Sequence, residues 1–523
     1  MIKFQNLLTA IALGTMSNLA AVAGWSPNPD VNLLVSGENA VGQDLVLTAP
    51  GPAGGTYISW LSWEQQNSFL KLQLIDKEGN AVWEEGGIYV STNPTPTWSS
   101  GFDVCSDAEG NALIVFPDSR NDSWHAYVYK VSPSGEMLWG DGIALTSDSK
   151  ESCLNPKLIT TDAGNIIVGF QSLIGSRNTL KFSKLSSKGS KLWGGMITVT
   201  GTNGLFNLVS STEDTFFVDY ILGNTGEVAV MRYTANGEEA WGEPAIIDNG
   251  MAVVSTEPVA CSDSKGGIIV GWRYAPSAFE VAGALQAVDR QGNLRWHEFE
   301  SCPNIPQVAA DKDGNIYTAY TYGTSSDINN LFVSKYSADG KLLWKTDPLV
   351  NYMSSQISIY GVAAVDSNAA VVYRNAVTYN QATVEYAYIE SDGKIVKTDA
   401  ELSTMEGDKG HGSLSLSGND NLVVAWADNG ISKGGGRIYA QKVDLPAGSG
   451  ISEISVDRTS AAGYNNGILY APSFNGMVSV YDCSGQLVKR GIVTDGYMEI
   501  GQLLQGVYLV SDGKKSDKLF VKR

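Results

Sequence analysis

Short apolar runs recur along this chain, each opened by a turn of Asp, Gly, Asn or Ser. They fall at 57–63, 112–116, 166–170, 216–220, 268–272, 316–320, 369–373 and 422–426. After each run come a polar loop, an alternating segment such as 126–131, a tight turn and a last short apolar stretch. Alternation in runs of four to eight residues, bounded by Gly, Asn, Asp and Ser, is the pattern of strands and hairpins. Several runs, Ile268-Ile-Val-Gly-Trp272 among them, are apolar on both faces and suit strands sandwiched between neighbouring sheets. No amphipathic helix is expected between residues 24 and 450.

A Gly-x-x-x-Trp frame marks each period. It reads Gly79/Trp83, Gly135/Trp139, Gly189/Trp193, Gly237/Trp241, Gly292/Trp296 and Gly340/Trp344, with Lys397 standing where Trp would follow Gly393. A period near fifty residues predicts radial or stacked β-repeats. Eight apolar runs against seven Gly positions leave one sheet without its outer strand. The stretch Val31-Asn-Leu-Leu-Val-Ser36, just after Trp25, matches the strand that follows Trp in other periods. The expected fold is therefore an all-β, eight-bladed β-propeller over residues 24–445, closed by its N-terminal strand; seven blades is the alternative. Closure leaves only short, protected sheet edges.

Asp76-Lys-Glu-Gly79-Asn-Ala-Val-Trp83 and Asp289-Arg-Gln-Gly292-Asn-Leu-Arg-Trp296 resemble the tryptophan-docked repeats of quinoprotein-type β-propellers. The resemblance implies that Trp25, Trp83, Trp139, Trp193, Trp241, Trp296 and Trp344 wedge between adjacent blades. The quinone-stacking Trp, calcium cluster and catalytic Asp of the family's enzymes are not placed on this chain, so no cofactor and no metal site are expected. Asp311-Lys-Asp313-Gly-Asn315 has the start of a calcium loop but lacks its closing Glu, and reads as a turn.

Residues 446–452 read as a linker, and 453–523 as a small immunoglobulin-like β-sandwich. Its Val480-Tyr-Asp-Cys-Ser-Gly-Gln-Leu-Val488 run, Leu503-Leu-Gln-Gly-Val-Tyr-Leu-Val510 run and basic Lys518-Leu-Phe-Val-Lys-Arg523 end resemble the type A C-terminal sorting domain of the type IX secretion system. At the other end, Lys3, an apolar core at 7–14 and Ala21-Val-Ala23 before Gly24 have the form of a signal peptide over residues 1–23, cut between Ala23 and Gly24. Together they imply a protein secreted from, or held outside, a Gram-negative cell, with the secretion machinery as one partner.

Residues 24–450 hold 27 basic and 48 acidic side chains, a net charge of −21. An acidic ring excludes nucleic acid as a partner. No stretch beyond the signal approaches a membrane span, and a monomer is expected. Cys105 and Cys261 share one register, Cys153 and Cys302 another, each three blades apart and beyond bridging distance. His125, His297 and His411 fall in separate blades, which speaks against a three-histidine zinc site or a Ser-His-Asp triad. The sequence thus favours a non-catalytic binding or adhesion module for a glycan or protein over an enzyme. The alternative is a secreted glycan-active enzyme (sialidase, glycosidase or lyase-like) using the propeller face. In either case the loops at one end of the blades carry the candidate contacts: Trp98, Arg120, Trp124, Arg273, Tyr274, Tyr322, Tyr352 and Arg374.

Overall fold

A computed structural model describes residues 24–521 apart from 41, 96–100, 121–123, 248–256, 278–279, 297–299, 303–305, 326–327, 354–355, 379–380, 419, 429–435, 447–462, 466–467, 472–473, 483–484, 495 and 504–505. The signal and its cleavage point therefore lie outside or at the edge of the described residues. No α-helix occurs among them, and the chain divides into two compact units, Met1–Leu445 and Pro446–Arg523.

Turn chemistry fixes where the strands stop. At the first repeat turn the Asp76 carboxylate accepts the backbone N–H of Glu78 (3.0 Å) and Asn80 (2.8 Å), and Gly79 N–H donates to the Asp76 carbonyl. Asp107, Asp289 and Asp311 do the same for their own turns. Short acidic side chains bonding the backbone two to four residues on are good tight-turn formers. Asp311 also receives the Asn315 amide and the Tyr317 hydroxyl.

Among the described residues the larger unit holds eight antiparallel sheets in a propeller-like arrangement. In the first, Gln43–Pro50, Thr56–Glu64, Asn67–Ile75 and Ile88–Tyr89 follow in order, and the next six sheets repeat that meander. The last is different. Gly412–Ser417, Asn421–Asp428 and Arg437–Lys442 take their fourth strand from the other end of the chain, Leu33–Leu34, with Leu33 opposite Ala440 and Leu34 opposite Tyr439. The first strand of each sheet lies against the first strand of the next, and Gly412–Ser417 lies against Gln43–Pro50.

Packing follows the same cycle. Eight buried apolar clusters each join two sheets, for example Leu113, Val115 and Val128 with Val168 and Phe170, and finally Val423 and Ala425 with Ile58 and Trp60. The repeat Trp rings pack on these clusters and add hydrogen bonds between sheets. Trp83 donates its indole N–H to the Pro133 carbonyl (2.9 Å), Trp193 to Ala235 (3.1 Å), Trp241 to Arg290 (3.3 Å), Trp296 to Ala338 (3.5 Å) and Trp344 to Ser391 (2.9 Å). Each acceptor stands two residues before the glycine of the next repeat, whose Cα lies on the ring. Trp139 packs against Gly189 in the same way. Trp25 copies the bond at the chain start, donating to the Lys77 carbonyl at 3.0 Å.

Glycine is required there twice over. At Gly340 φ is +80°, and a Cβ would collide with the Trp296 ring; at Gly393 φ is +91°, and a Cβ would sit 2.9 Å from Trp344. Where Lys397 replaces Trp, its ammonium keeps the connection: it donates to the Asp444 carbonyl (3.2 Å) and carboxylate (2.9 Å) and to the Tyr386 hydroxyl (2.7 Å).

The smaller unit is a two-sheet β-sandwich. One sheet holds Gly463–Asn465, Ile468–Tyr470 and Tyr497–Glu499; the other runs Leu487–Val493, Gly476–Asp482, Gly506–Ser511, Ser516–Val521. Leu469, Phe474, Val478, Val480, Met498, Val510 and Leu519 form its own core.

Trp296 is 5% exposed, so Trp296→Ala should cost about 3–5 kcal/mol in urea unfolding of the full chain. A loss below about 1 kcal/mol would show that the indole seam is decorative. Deleting residues 24–36 should lower the melting temperature of the larger unit, whereas deleting 446–523 should leave it unchanged. Equal effects would contradict the pairing of Leu33–Leu34 with Arg437–Lys442.

Candidate functional site

Antiparallel meanders bring the start of each first strand and the end of each second strand to one face. Most of the sequence candidates lie there, but they are not alike. Arg120 turns inward: its guanidinium pairs with the buried Asp118 (2.6 Å), donates to the Tyr129 hydroxyl and covers the Tyr127 ring at 3.9 Å. Asp118 and burial together set its role, which is to pin its own sheet. Tyr274 is buried, Arg273 half-buried and Tyr322 exposed. Trp124 is half-buried, and its carbonyl accepts the Cys153 N–H of the next sheet. Arg374 lies beneath the face, its Nε donating to the Asp408 carbonyl. Tyr352 contributes backbone pairing opposite Asn329, and Trp98 lies outside the described residues.

The residues that do converge stand on the first strands, where they surround a central shaft. One cavity of about 320 Å³ is lined by Lys157, Asn207, Glu257 and Gln307; a second, of about 500 Å³, is lined by Leu47, Gln307, Tyr360, Ser413 and Leu414. One wall is charged. Lys157 and Glu257 form an ion pair at 2.7 Å, and Asp103 accepts the Leu158 N–H at 2.9 Å. The Asn207 amide bridges the Asp219 carboxylate (2.9 Å) and the Pro258 carbonyl (2.8 Å). Asp219 has no exposed surface, and its second oxygen has no partner among the described residues. Burial pushes its pKa up to about 6, against the Asn207 bond. Burial likewise raises Asp103, while Lys157 stays above its ordinary value because Glu257 and Asp103 outweigh the desolvation of its ammonium.

At the mouth of the opposite wall stands a histidine–carboxylate pair, His411 Nδ1 to Asp44 at 2.8 Å, joining the last sheet to the first. Its foundation is buried. The Tyr360 hydroxyl donates to the Lys409 carbonyl, the Lys409 ammonium lies 3.5 Å from Asp428, and the Ala427 N–H donates to the His411 carbonyl. His411 is more than half exposed (59%), so it can meet a solute. The bond from Asp44 raises its pKa despite partial burial; Asp44 in turn is lowered, because the His411 bond and charge outweigh its own desolvation. A half-exposed aromatic residue, Trp63, stands at the same end of the first sheet, its backbone N–H donating to the Gly42 carbonyl (3.0 Å).

Asp44, Tyr360, Lys157 and Glu257 were not singled out from the sequence, and His411 only as one of three isolated histidines. A signal existed. In the repeat frame Glu257 and His411 both stand two residues before their first strand's Val259 and Ser413, which lie opposite Gly271 and Ala425. Three free cysteines, Cys105, Cys153 and Cys261, occur among the described residues, and burial raises each thiol.

No family model matches the chain, and no curated protein matches it. Solved structures do show similarity. A puromycin hydrolase S511A mutant complexed with PGG is 12% identical over 78% of this chain and 61% of its own, with a TM-score of 0.42. An ulvan lyase described as a new polysaccharide lyase family is 10% identical over 69% of this chain and 97% of its own, also at 0.42. An α-L-arabinanase of Penicillium chrysogenum complexed with arabinobiose is 12% identical over 60% and 97%, at 0.35. This chain thus spans less than two thirds of the hydrolase's length. These neighbours are enzymes, which corrects the sequence preference for a non-catalytic module. At such identities and scores they do not say which reaction, and the architecture rests on the sheet pairing above.

The His411–Asp44 pair should be visible in pH titrations. Because its folded pKa is raised, His411 contributes stability below its unfolded value near 6.5 and loses it as pH rises through the folded value. Asp44, being lowered, contributes above about 3.8 and loses it as pH falls through its folded value. Asp44→Asn should move the His411 imidazole resonances to a lower midpoint in an NMR titration; an unmoved midpoint would mean the pair does not form in solution.

Proposed function

We propose that this chain is an exported glycan-active enzyme whose working face is the mouth of the central shaft. The larger unit is, in this reading, an eight-bladed propeller closed by Leu33–Leu34. The observation that carries the proposal is the His411–Asp44 pair, exposed at the shaft mouth and fixed from below by Tyr360, Lys409 and Asp428. Breaking a glycosidic bond needs a proton delivered to the leaving oxygen or taken from a sugar carbon. Imidazole does either near neutral pH. Asp44 orients the ring through Nδ1 and leaves Nε2 for the substrate. The exposed rings of Trp63 and Tyr322 on the same face offer flat apolar surfaces to the C–H faces of sugars.

The signal at 1–23 and the smaller unit complete the proposal. Strands Gly476–Asp482 and Gly506–Ser511 contain most of the Val-Tyr-Asp and Gly-Val-Tyr-Leu-Val runs that resemble a type IX sorting domain, which supports export by that route to the cell exterior. Mass spectrometry of secreted material should begin at Gly24; a start well beyond Ser36 would sink both the cleavage point and the closing strand.

Reducing-end release from a panel of neutral and uronate-bearing polysaccharides tests the activity, and the ultraviolet absorbance of an unsaturated product separates elimination from hydrolysis. On whichever substrate is cleaved, His411→Ala should lower kcat by about 10²–10⁴-fold with the melting temperature kept. A variant of unchanged kcat would remove His411 from the mechanism.

A further inference from the structure

A third polar cavity lies against the first three strands of the first sheet. It encloses about 380 Å³, within the roughly 300–1,000 Å³ range of small-molecule sites, and is lined by Ser36, Asn39, Gln43, Ser62, Glu64, Lys71 and Glu85. Its floor is an oriented relay. The buried Trp60 indole donates to Gln43 Oε1 (2.5 Å), the Gln43 amide to Ser62 Oγ (3.0 Å), and the Ser62 hydroxyl to Glu64 Oε1 (2.8 Å). The Tyr89 hydroxyl closes on the same carboxylate at 2.8 Å. Trp60, Gln43 and Ser62 are all at least 97% buried, so the Glu64 carboxylate is held from behind by groups that have no freedom to turn away.

The opposite side is a cation. Lys71 forms no ion pair with a described residue; its ammonium stands 4.6 Å above the Tyr89 ring, and burial lowers its pKa. Tyr89 itself is 42% exposed, and burial with the Glu64 bond pushes its hydroxyl up to about 12. The pocket therefore presents a preset carboxylate that accepts from hydroxyls and an ammonium that donates to them. With Glu64 and Glu85 against Lys71, its charge is not positive, which disfavours an anionic ligand.

We propose that this pocket is a distal subsite for a neutral sugar ring. The inference rests on the glycan-active reading and deepens it. Gln43 lines the pocket and Asp44, its chain neighbour, holds His411, so the two places lie at the same strand end, within the reach of one oligosaccharide. The enzyme would then act on oligomers rather than on single sugars.

The test uses the full secreted chain carrying His411→Ala, so that ligands survive, on an array of neutral and uronate-bearing oligosaccharides of two to about eight units. Neutral oligomers should bind, and added Glu64→Ala or Lys71→Ala should weaken them at least about tenfold, with Glu64→Gln intermediate and melting temperatures unchanged. In the otherwise native enzyme the same pocket variants should raise KM for long substrates, leaving kcat and the KM of the shortest alone. Pocket variants that bind like the parent would overturn the subsite even where His411 proves catalytic. Capture of uronate-bearing glycans alone, lost only with Lys71→Ala, would overturn the neutral assignment. Oligomer binding that depends on Glu64, in a native chain that cleaves nothing on the panel, would keep the subsite and remove the catalytic reading.

Discussion

The larger unit depends on one contact made six times: an indole ring laid under a left-handed glycine of the neighbouring sheet. A four-stranded antiparallel sheet of this size cannot bury both faces by itself, and each sheet here is completed only by the next. The eight apolar clusters supply most of the burial, but they are non-directional. The Trp–Gly contact adds geometry, because the indole N–H reaches a carbonyl only when the next turn sits at one height. The positive φ of that turn and the missing Cβ leave no other residue that fits. Register between sheets is thus set at the rim, and the first strands are brought to a common level round the shaft.

That common level is what brings the candidate site together. His411 and Asp44 belong to the last and first sheets, more than 360 residues apart in sequence, and meet because neighbouring first strands run side by side. The charged wall of Lys157, Glu257, Asn207 and Asp219 is assembled in the same way from three consecutive sheets. Neither group requires a long loop. Strand ends held by packing on both sides are a stiff mounting for proton-transfer groups, whose efficiency depends on position.

Much of the strand plan was legible in the sequence because Gly, Asp and the apolar runs recur in a fixed order, and each has a local cause. The convergent residues were hidden because nothing local announces them. Asp44 reads as an ordinary strand-start acid, and Tyr360 sits at an irregularity between Ile359 and Gly361 that shifts the register by one. Conversely, Arg120 drew notice as an arginine in a loop, yet its partner Asp118 was two residues away and a fully buried carboxylate must be paired. Several of the loop aromatics and arginines lie at the same end of the sheets as the His411–Asp44 pair. Which of them remain available to a ligand is decided by neighbours that only the packed sheets supply.

Seven sheet junctions are sealed by indole rings, and the junction between the last two is sealed by an ammonium. The Lys397–Asp444 contact is exposed on its carboxylate side (88%), so dissolved ions compete with it as they cannot compete with a ring under a glycine. The larger unit is consequently not mechanically uniform. It has one junction whose grip follows ionic strength, and it lies between the sheet that carries Tyr360 and the sheet that carries His411. In concentrated brine that junction is left to its apolar cluster and to hydrogen bonds on backbone carbonyls, such as those from Tyr360 to Lys409 and from Tyr386 to Asp444.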